Sequence, residues 1–190
     1  MAEVLLLHHA QELTEGCHSF AEHLRSAGHV VHAPDLYDGN TFDELDDGMA
    51  YGRKIGFDTV SDRGRAAAES LPNEIVYVGL SLGAMPGQML AQTRLGAKGA
   101  VLLHAAIPPS EFGGPWPDGL PLQIHTMEDD DWGDVDIARE LAETIPSAEL
   151  FLYPGDRHLF TDSSLAAYDE AATTLVKQRV LDFLDNLDRP

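Results

Sequence analysis

A serine framed by two glycines, Gly79-Leu80-Ser81-Leu82-Gly83, follows the apolar run Ile75 to Val78 and precedes a helix-forming stretch. Glycines at those positions fit a tight strand-to-helix turn whether or not the serine reacts. A serine hydroxyl is a weak nucleophile at neutral pH, so chemistry there needs a base to take its proton and an acid to orient that base. Both follow downstream. The consecutive acids Glu128, Asp129, Asp130 and Asp131 come after the run ending near His125, and His158 lies in Tyr153-Pro154-Gly155-Asp156-Arg157-His158-Leu159-Phe160. The order serine, acid, histidine, each just past an apolar run, is the order that a G-x-S-x-G nucleophile requires of its partners.

Of the four acids, Asp130 is the favoured partner of His158, with Asp129 the alternative; the rest are solvated or cap a helix beginning near Asp134. His8, His9, His104 and His125 also stand at strand ends. They either orient loops through hydrogen bonds or, for His9 and His104, line the pocket wall. Arg53 is a candidate substrate contact among the helix charges Lys54, Arg63 and Arg65. The Gly- and Pro-rich stretch Phe112 to Pro117 either carries Trp116 over the site as a short lid or packs the indole at the sheet edge. Trp132, beside the acids, is open to the same two readings. No H-E-x-x-H spacing occurs, His18 and His23 are five apart, and Cys17 is the single cysteine, so neither a metal nor a cofactor is predicted.

Positioning these groups requires strands that end beside one another. Val4 to Leu7, Val30 to Ala33, Ile75 to Val78, Ala100 to Leu103, Leu122 to Ile124 and Leu150 to Leu152 read as buried strands. Segments of helical period separate them. Phe20, Leu24 and Ala27 share a face on a helix from Cys17 that stops at Gly28, and Tyr37 to Pro72 is acidic and helix-forming with breaks at Gly39, Gly48, Gly56 and Gly64. Ala172, Val176, Val180, Phe183 and Leu187 mark a final helix, for which Asp162, Ser163 or Ser164 offers an N-cap. Such alternation predicts a mostly parallel sheet with helices on both faces and a ligand beyond the carboxyl ends of the strands. The candidates cluster there.

With 190 residues and no biased linker or repeat, residues 1–190 read as a single domain. The formal net charge of -20, from 12 Lys+Arg against 32 Asp+Glu, argues against nucleic acid and anionic membranes as partners. A small molecule is the expected partner. No apolar stretch reaches the roughly 18 residues of a membrane span, and Val4 to Leu7 is too short and wrongly flanked for a secretory signal. One cysteine permits no internal disulfide, so a soluble cytoplasmic protein is expected, as monomer or homodimer.

The chain resembles the dienelactone hydrolase family of α/β-hydrolases. The resemblance rests on VLLLHHAQEL, on AGHVVHAPDLYDG from Ala27 to Gly39, on GLSLG, on QIHTMEDDDW and on YPGDRHLF, which together span nearly the whole chain. It implies a minimal α/β-hydrolase without a lid domain and a triad of Ser81, Asp130 and His158. It also implies an oxyanion hole from the backbone N–H of Leu82 and one near Ala10. Dienelactone hydrolases proper use a cysteine nucleophile and a glutamate near the first strand; here Ser81 and His9 stand at the matching places. They also bind a substrate carboxylate through an arginine soon after the catalytic histidine. Leu159-Phe160-Thr161-Asp162 stands there instead, and an aspartate would repel that carboxylate. The implied activity is therefore hydrolysis of a small carboxylic ester or lactone. A thioesterase or acyl-transfer enzyme with the same triad, and a non-catalytic binding homologue, are the alternatives.

Overall fold

The computed structural model describes residues 1–187. Six strands, β1 (Glu3–Leu7), β2 (Val30–His32), β3 (Val76–Leu80), β4 (Gly99–Leu103), β5 (Leu122–Met127) and β6 (Ala148–Tyr153), form one sheet in the order β2-β1-β3-β4-β5-β6, every pair parallel. Each parallel pair needs a crossover, and helices supply most of them: α1 (Glu15–Ser26), α2 (Leu45–Ile55), α3 (Phe57–Glu69), α4 (Ala84–Thr93) and α5 (Val135–Thr144), with α6 (Glu170–Asn186) closing the fold. All six predicted strands form.

Alternate residues of the strands face opposite layers. Leu5, Leu7, Tyr77, Ala100, Leu102, Leu122 and Ile124 pack with Val60, Ala68, Ala84, Leu90, Ala138 and Leu141 of α3, α4 and α5. On the other face Val4, Leu6, Val76, Val78, Val101 and Leu103 pack with Phe20 and Leu24 of α1 and Val176, Val180 and Phe183 of α6. Both faces of the central strands are covered, which is why those strands are apolar without alternation.

Three sequence expectations need correction. The strand expected to end at Ile124 continues to Met127, because His125 is satisfied inside the sheet: Tyr153 Oη lies 2.9 Å from its Nδ1 and Gln123 Oε1 lies 2.8 Å from its Nε2. The final helix is not capped by Asp162, Ser163 or Ser164. It starts at Glu170, where the Asp169 carboxylate accepts the Ala172 N–H at 2.9 Å, and Asp162 is buried in a different role. Gly48 and Gly64 do not break the segment after Tyr37; they lie inside α2 and α3. A Cβ on Gly48 would stand 2.1 Å from the carbonyl oxygen of Ala10, and one on Gly64 would stand 2.7 Å from Pro86 Cβ. Close approach, not a turn, requires these glycines.

Candidate active site

Ser81 directly follows β3 with φ +48, a conformation non-glycine residues seldom adopt, and opens the short 3-10 turn Ser81–Gly83 that leads into α4. Both flanking glycines are needed. A Cβ at Gly79 would lie 2.5 Å from Gly83 O, and one at Gly83 would lie 2.1 Å from Leu7 O and 2.6 Å from His8 O. The backbone of Leu82 and Gly83 is thereby pressed against the end of β1, beside the loop that holds Ala10.

The Ser81 hydroxyl lies 2.8 Å from His158 Nε2, and His158 Nδ1 lies 2.8 Å from Asp130 Oδ2. The O–H can donate to Nε2 while Nδ1–H donates to the carboxylate. Asp130 is itself held: its other oxygen accepts the Trp132 N–H at 2.9 Å. Asp129 is exposed and its backbone N–H is tied to Gly155 O. Geometry therefore selects Asp130 of the two acids.

The remaining candidates separate clearly. His104 has φ +66, is fully buried, and presents its ring edge-on to His158 at 5.7 Å between centroids, with Nε2 2.7 Å from Thr161 Oγ1. Burial pushes its pKa well below the usual imidazole range, with the neighbouring histidines adding to the effect. It packs edge-on against the imidazole and, fully buried, is not a pocket wall. His9 is equally buried and pairs with Asp162 at 2.8 Å, so it too is displaced from the wall. Each was expected on the wall from its place at a strand end; the rings turn inward instead, His9 onto Asp162 and His104 onto Thr161.

Trp116 does not reach the site. Its indole N–H donates to Leu120 O at 2.8 Å, and its cleft is shared with Ile145, Pro146 and Ser147, which precede β6 at the amino end of the sheet. Arg53 is exposed near the end of α2, and among the described residues no hydrogen bond or ion pair joins it to Ser81, His158 or Asp130. Trp132 is the aromatic residue at the site: it is 42% exposed, with its ring 6.3 Å from that of His158. Phe57 lies on the other flank. Its ring and the Leu82 side chain both come within 4 Å of the point where a Gly52 Cβ would stand.

Sequence reasoning missed Asp162 as an organising group. Its Oδ2 accepts from His9 Nε2 at 2.8 Å and from the Thr14 hydroxyl, and its Oδ1 accepts from the Ser164 N–H at 2.9 Å and the Ser164 hydroxyl at 2.5 Å. Burial alone would raise this carboxyl; the hydrogen bonds from His9, Ser164 and Thr14 overcome that and hold it at about 2. His9, Cys17 and Asp162 bring a nitrogen, a sulfur and an oxygen within 4.8 Å of one another, a donor set zinc accepts. The protons already account for this cluster. His9 and Thr14 donate to the shared oxygen, and burial holds the Cys17 thiol up at about 12, so a metal would have to displace protons that the packing favours.

A parallel sheet carrying a strained serine on the turn after its third strand, with the acid and histidine beyond the fifth and sixth, defines an α/β-hydrolase. A sequence model of the dienelactone hydrolase family matches residues 3–187, and the chain belongs to that family. Solved structures agree on the fold. A dienelactone hydrolase-like promiscuous phosphotriesterase from metagenomic libraries superposes with TM-score 0.74 at 17% identity, covering 98% of this chain and 87% of the other. The dienelactone hydrolase of Anabaena variabilis gives 0.72 at 16%, over 98% and 86%. A cold-adapted esterase from an Arctic intertidal metagenomic library gives 0.66 at 21%, over 94% and 82%. No curated protein matches the sequence. No helix among the described residues is long and apolar enough to cross a membrane.

Proposed function

We propose that the protein hydrolyses a small, uncharged carboxylic ester or lactone through a Ser81 acyl-enzyme. The observation that carries this reading is the unbroken line of short contacts from Ser81 Oγ through His158 to Asp130, with the serine lifted on a positive-φ turn. Ser81 Oγ attacks the carbonyl carbon as His158 Nε2 takes the hydroxyl proton. Asp130 keeps Nδ1 protonated and stabilises the imidazolium that forms.

The tetrahedral oxyanion falls to the Leu82 and Ala10 N–H groups, a reading supported by the close approach of Gly83 to Leu7 O and His8 O at the start of the Ala10 loop. One such donor is worth roughly 10²–10³ in rate. Collapse of the intermediate expels the alkoxide, which takes the proton from His158. Water, deprotonated by His158, then releases the acid and restores Ser81.

Substrate charge follows from the surroundings. Glu128, Asp129, Asp131 and Asp134 surround Asp130, and the chain carries a net charge of -20, so anionic esters are disfavoured. Trp132 offers an apolar wall beside the base. A cytoplasmic small-molecule enzyme that works without cofactor, as monomer or homodimer, is part of the same reading.

Intact mass after incubation with a fluorophosphonate tests it. Wild type should gain one adduct, while Ser81→Ala and His158→Ala should gain none. A folded wild type that takes up no adduct and cleaves no simple ester would overturn the assignment.

A further inference from the structure

We infer that Asp162 and His9 are positioning residues that lock the base and the oxyanion donor at a fixed separation. This rests on the Ser81 reading above. Two loops must be held in register for that chemistry: the one after β1, with Ala10, and the one after β6, with His158. They come from strands at opposite sides of the site, and no strand pairing joins β1 to β6. Asp162 joins them instead.

Asp162 lies four residues after His158 and is 1% exposed. From the β1 side it accepts His9 Nε2–H and the Thr14 hydroxyl; from its own side it accepts both donors of Ser164. Thr14 is anchored in turn, since its Oγ1 also accepts the Cys17 N–H at 3.1 Å and caps α1. Gly16 stands directly over the carboxylate, where a Cβ would lie 1.7 Å from Oδ1. The packing leaves the carboxylate one placement.

The tautomer of His9 follows from its partners. The Gln11 N–H points at His9 Nδ1, 3.2 Å away, so Nδ1 is the acceptor and the ring proton sits on Nε2, donated to Asp162. Burial lowers the His9 pKa more than Asp162 raises it, and the ring stays neutral. One neutral imidazole thus bridges the Gln11 amide and the Asp162 carboxylate. Ala10 lies between His9 and Gln11, so both ends of its peptide pair are pinned to this bridge.

His8 secures the other side of the same loop. Its Nδ1–H donates to His9 O at 2.7 Å, and its Nε2 accepts the Leu36 N–H at 2.8 Å. The Gln11 side chain adds a bond to Asp43 O at 2.8 Å. The loop bearing His158 is reached through Asp162 and, more weakly, through the Gly16 N–H, which donates to Ser164 Oγ at 3.2 Å. Loss of the Asp162 tether should disturb alignment in the transition state more than substrate affinity.

Asp162→Asn tests this with little change of shape. Whichever way the amide turns, its NH₂ faces either His9 Nε2–H or the Ser164 N–H, so one side of the tether loses its acceptor. The expected result, with p-nitrophenyl acetate and active sites counted by fluorophosphonate titration, is a roughly 10- to 100-fold fall in kcat per titrated site with KM changed less than about threefold, the scale of a small misplacement of reacting groups. His9→Gln added to Asp162→Asn restores an amide-to-amide bond between the loops and should recover part of that loss.

A purely structural role would lower Tm and the titrated fraction while leaving kcat per site unchanged; that outcome overturns the inference. Equal kcat in the single and double variants also overturns it. Absence of both labelling and turnover in wild type would mean that the Ser81 assignment itself has failed, and the inference with it.

Discussion

His158 Nδ1 stands 2.8 Å from Asp130 Oδ2, and the adjacent carboxylate of Asp129 faces solvent. The difference comes from the turn after β5. Asp129 N–H is bound to Gly155 O and Asp130 O accepts the Gly133 N–H, which turns the Asp130 side chain inward under the histidine loop. Asp130→Asn should therefore lower kcat by about 10³–10⁴, through loss of the acceptor that fixes the His158 tautomer. Asp129→Asn should stay within about threefold of wild type. Steady-state rates of the two variants on one ester check this, and a larger loss in the Asp129 variant would reverse the assignment.

Trp132 and Trp116 make opposite predictions. Trp132 is exposed against His158, so Trp132→Ala should raise KM for aryl esters several-fold, with a smaller change in kcat. Trp116 serves the amino end of the sheet, where its indole binds Leu120 O. Trp116→Phe should lower stability by about 1 kcal/mol through the lost indole hydrogen bond, with the Ser147 hydroxyl still donating to Leu120 O at 2.7 Å, and leave kcat/KM unchanged. Kinetics on phenyl and methyl esters of one acid separate these effects.

Gly48 presses α2 onto the carbonyl of Ala10. In an ordinary helix, Gly→Ala gains about 1 kcal/mol. Here the new Cβ meets backbone at 2.1 Å, and overpacking costs typically 1–3 kcal/mol. The sign should turn: Gly48→Ala is expected to destabilise the fold by about 1–2 kcal/mol and to slow turnover by displacing the Ala10 N–H. Gly114→Ala, with open space around its Cβ, is the control and should be neutral. Urea denaturation of the three proteins decides it.

The strands, their order of function and the three residues of the Ser81 line were legible because each announces itself locally: apolar runs, a G-x-S-x-G turn, a histidine in a loop after the last strand. Asp162 was not. Its partners Thr14 and His9 lie about 150 positions away, and an aspartate followed by two serines looks like a helix cap, so only the folded register of β1 and β6 shows it as a buried staple. Trp116 and Trp132 look alike in sequence, both beside turns and acids. The amino and carboxyl ends of the sheet distinguish them, and the fold alone assigns those ends.

Acid sensitivity should begin with histidines, and the carboxyls of Glu12 and Asp134, which burial raises, work in the opposite direction. His9, His104 and His125 are buried and neutral, each with its pKa lowered chiefly by desolvation, His125 to about 3. Their unfolded counterparts take up protons near pH 6.5, so below that pH the unfolded state binds more protons and folding stability falls. The loss grows until the folded pKa is reached, at about 1.4 kcal/mol per pH unit for each such histidine. Asp162, held at about 2, acts later: its contribution is complete above an unfolded pKa near 3.9 and is lost only as pH falls toward 2. Relief of repulsion among the 32 acidic residues works in the opposite direction, but it too needs carboxylates to protonate. Between pH 7 and 5.5 the histidines should therefore dominate, and the unfolding free energy should drop by a few kcal/mol. His125→Gln keeps an acceptor for Tyr153 and a donor for Gln123 while removing one titrating ring, and should make that slope shallower. Urea unfolding at pH 7, 6.25 and 5.5 measures both, and a wild-type stability flat across that range would show that these rings do not stay neutral in the fold.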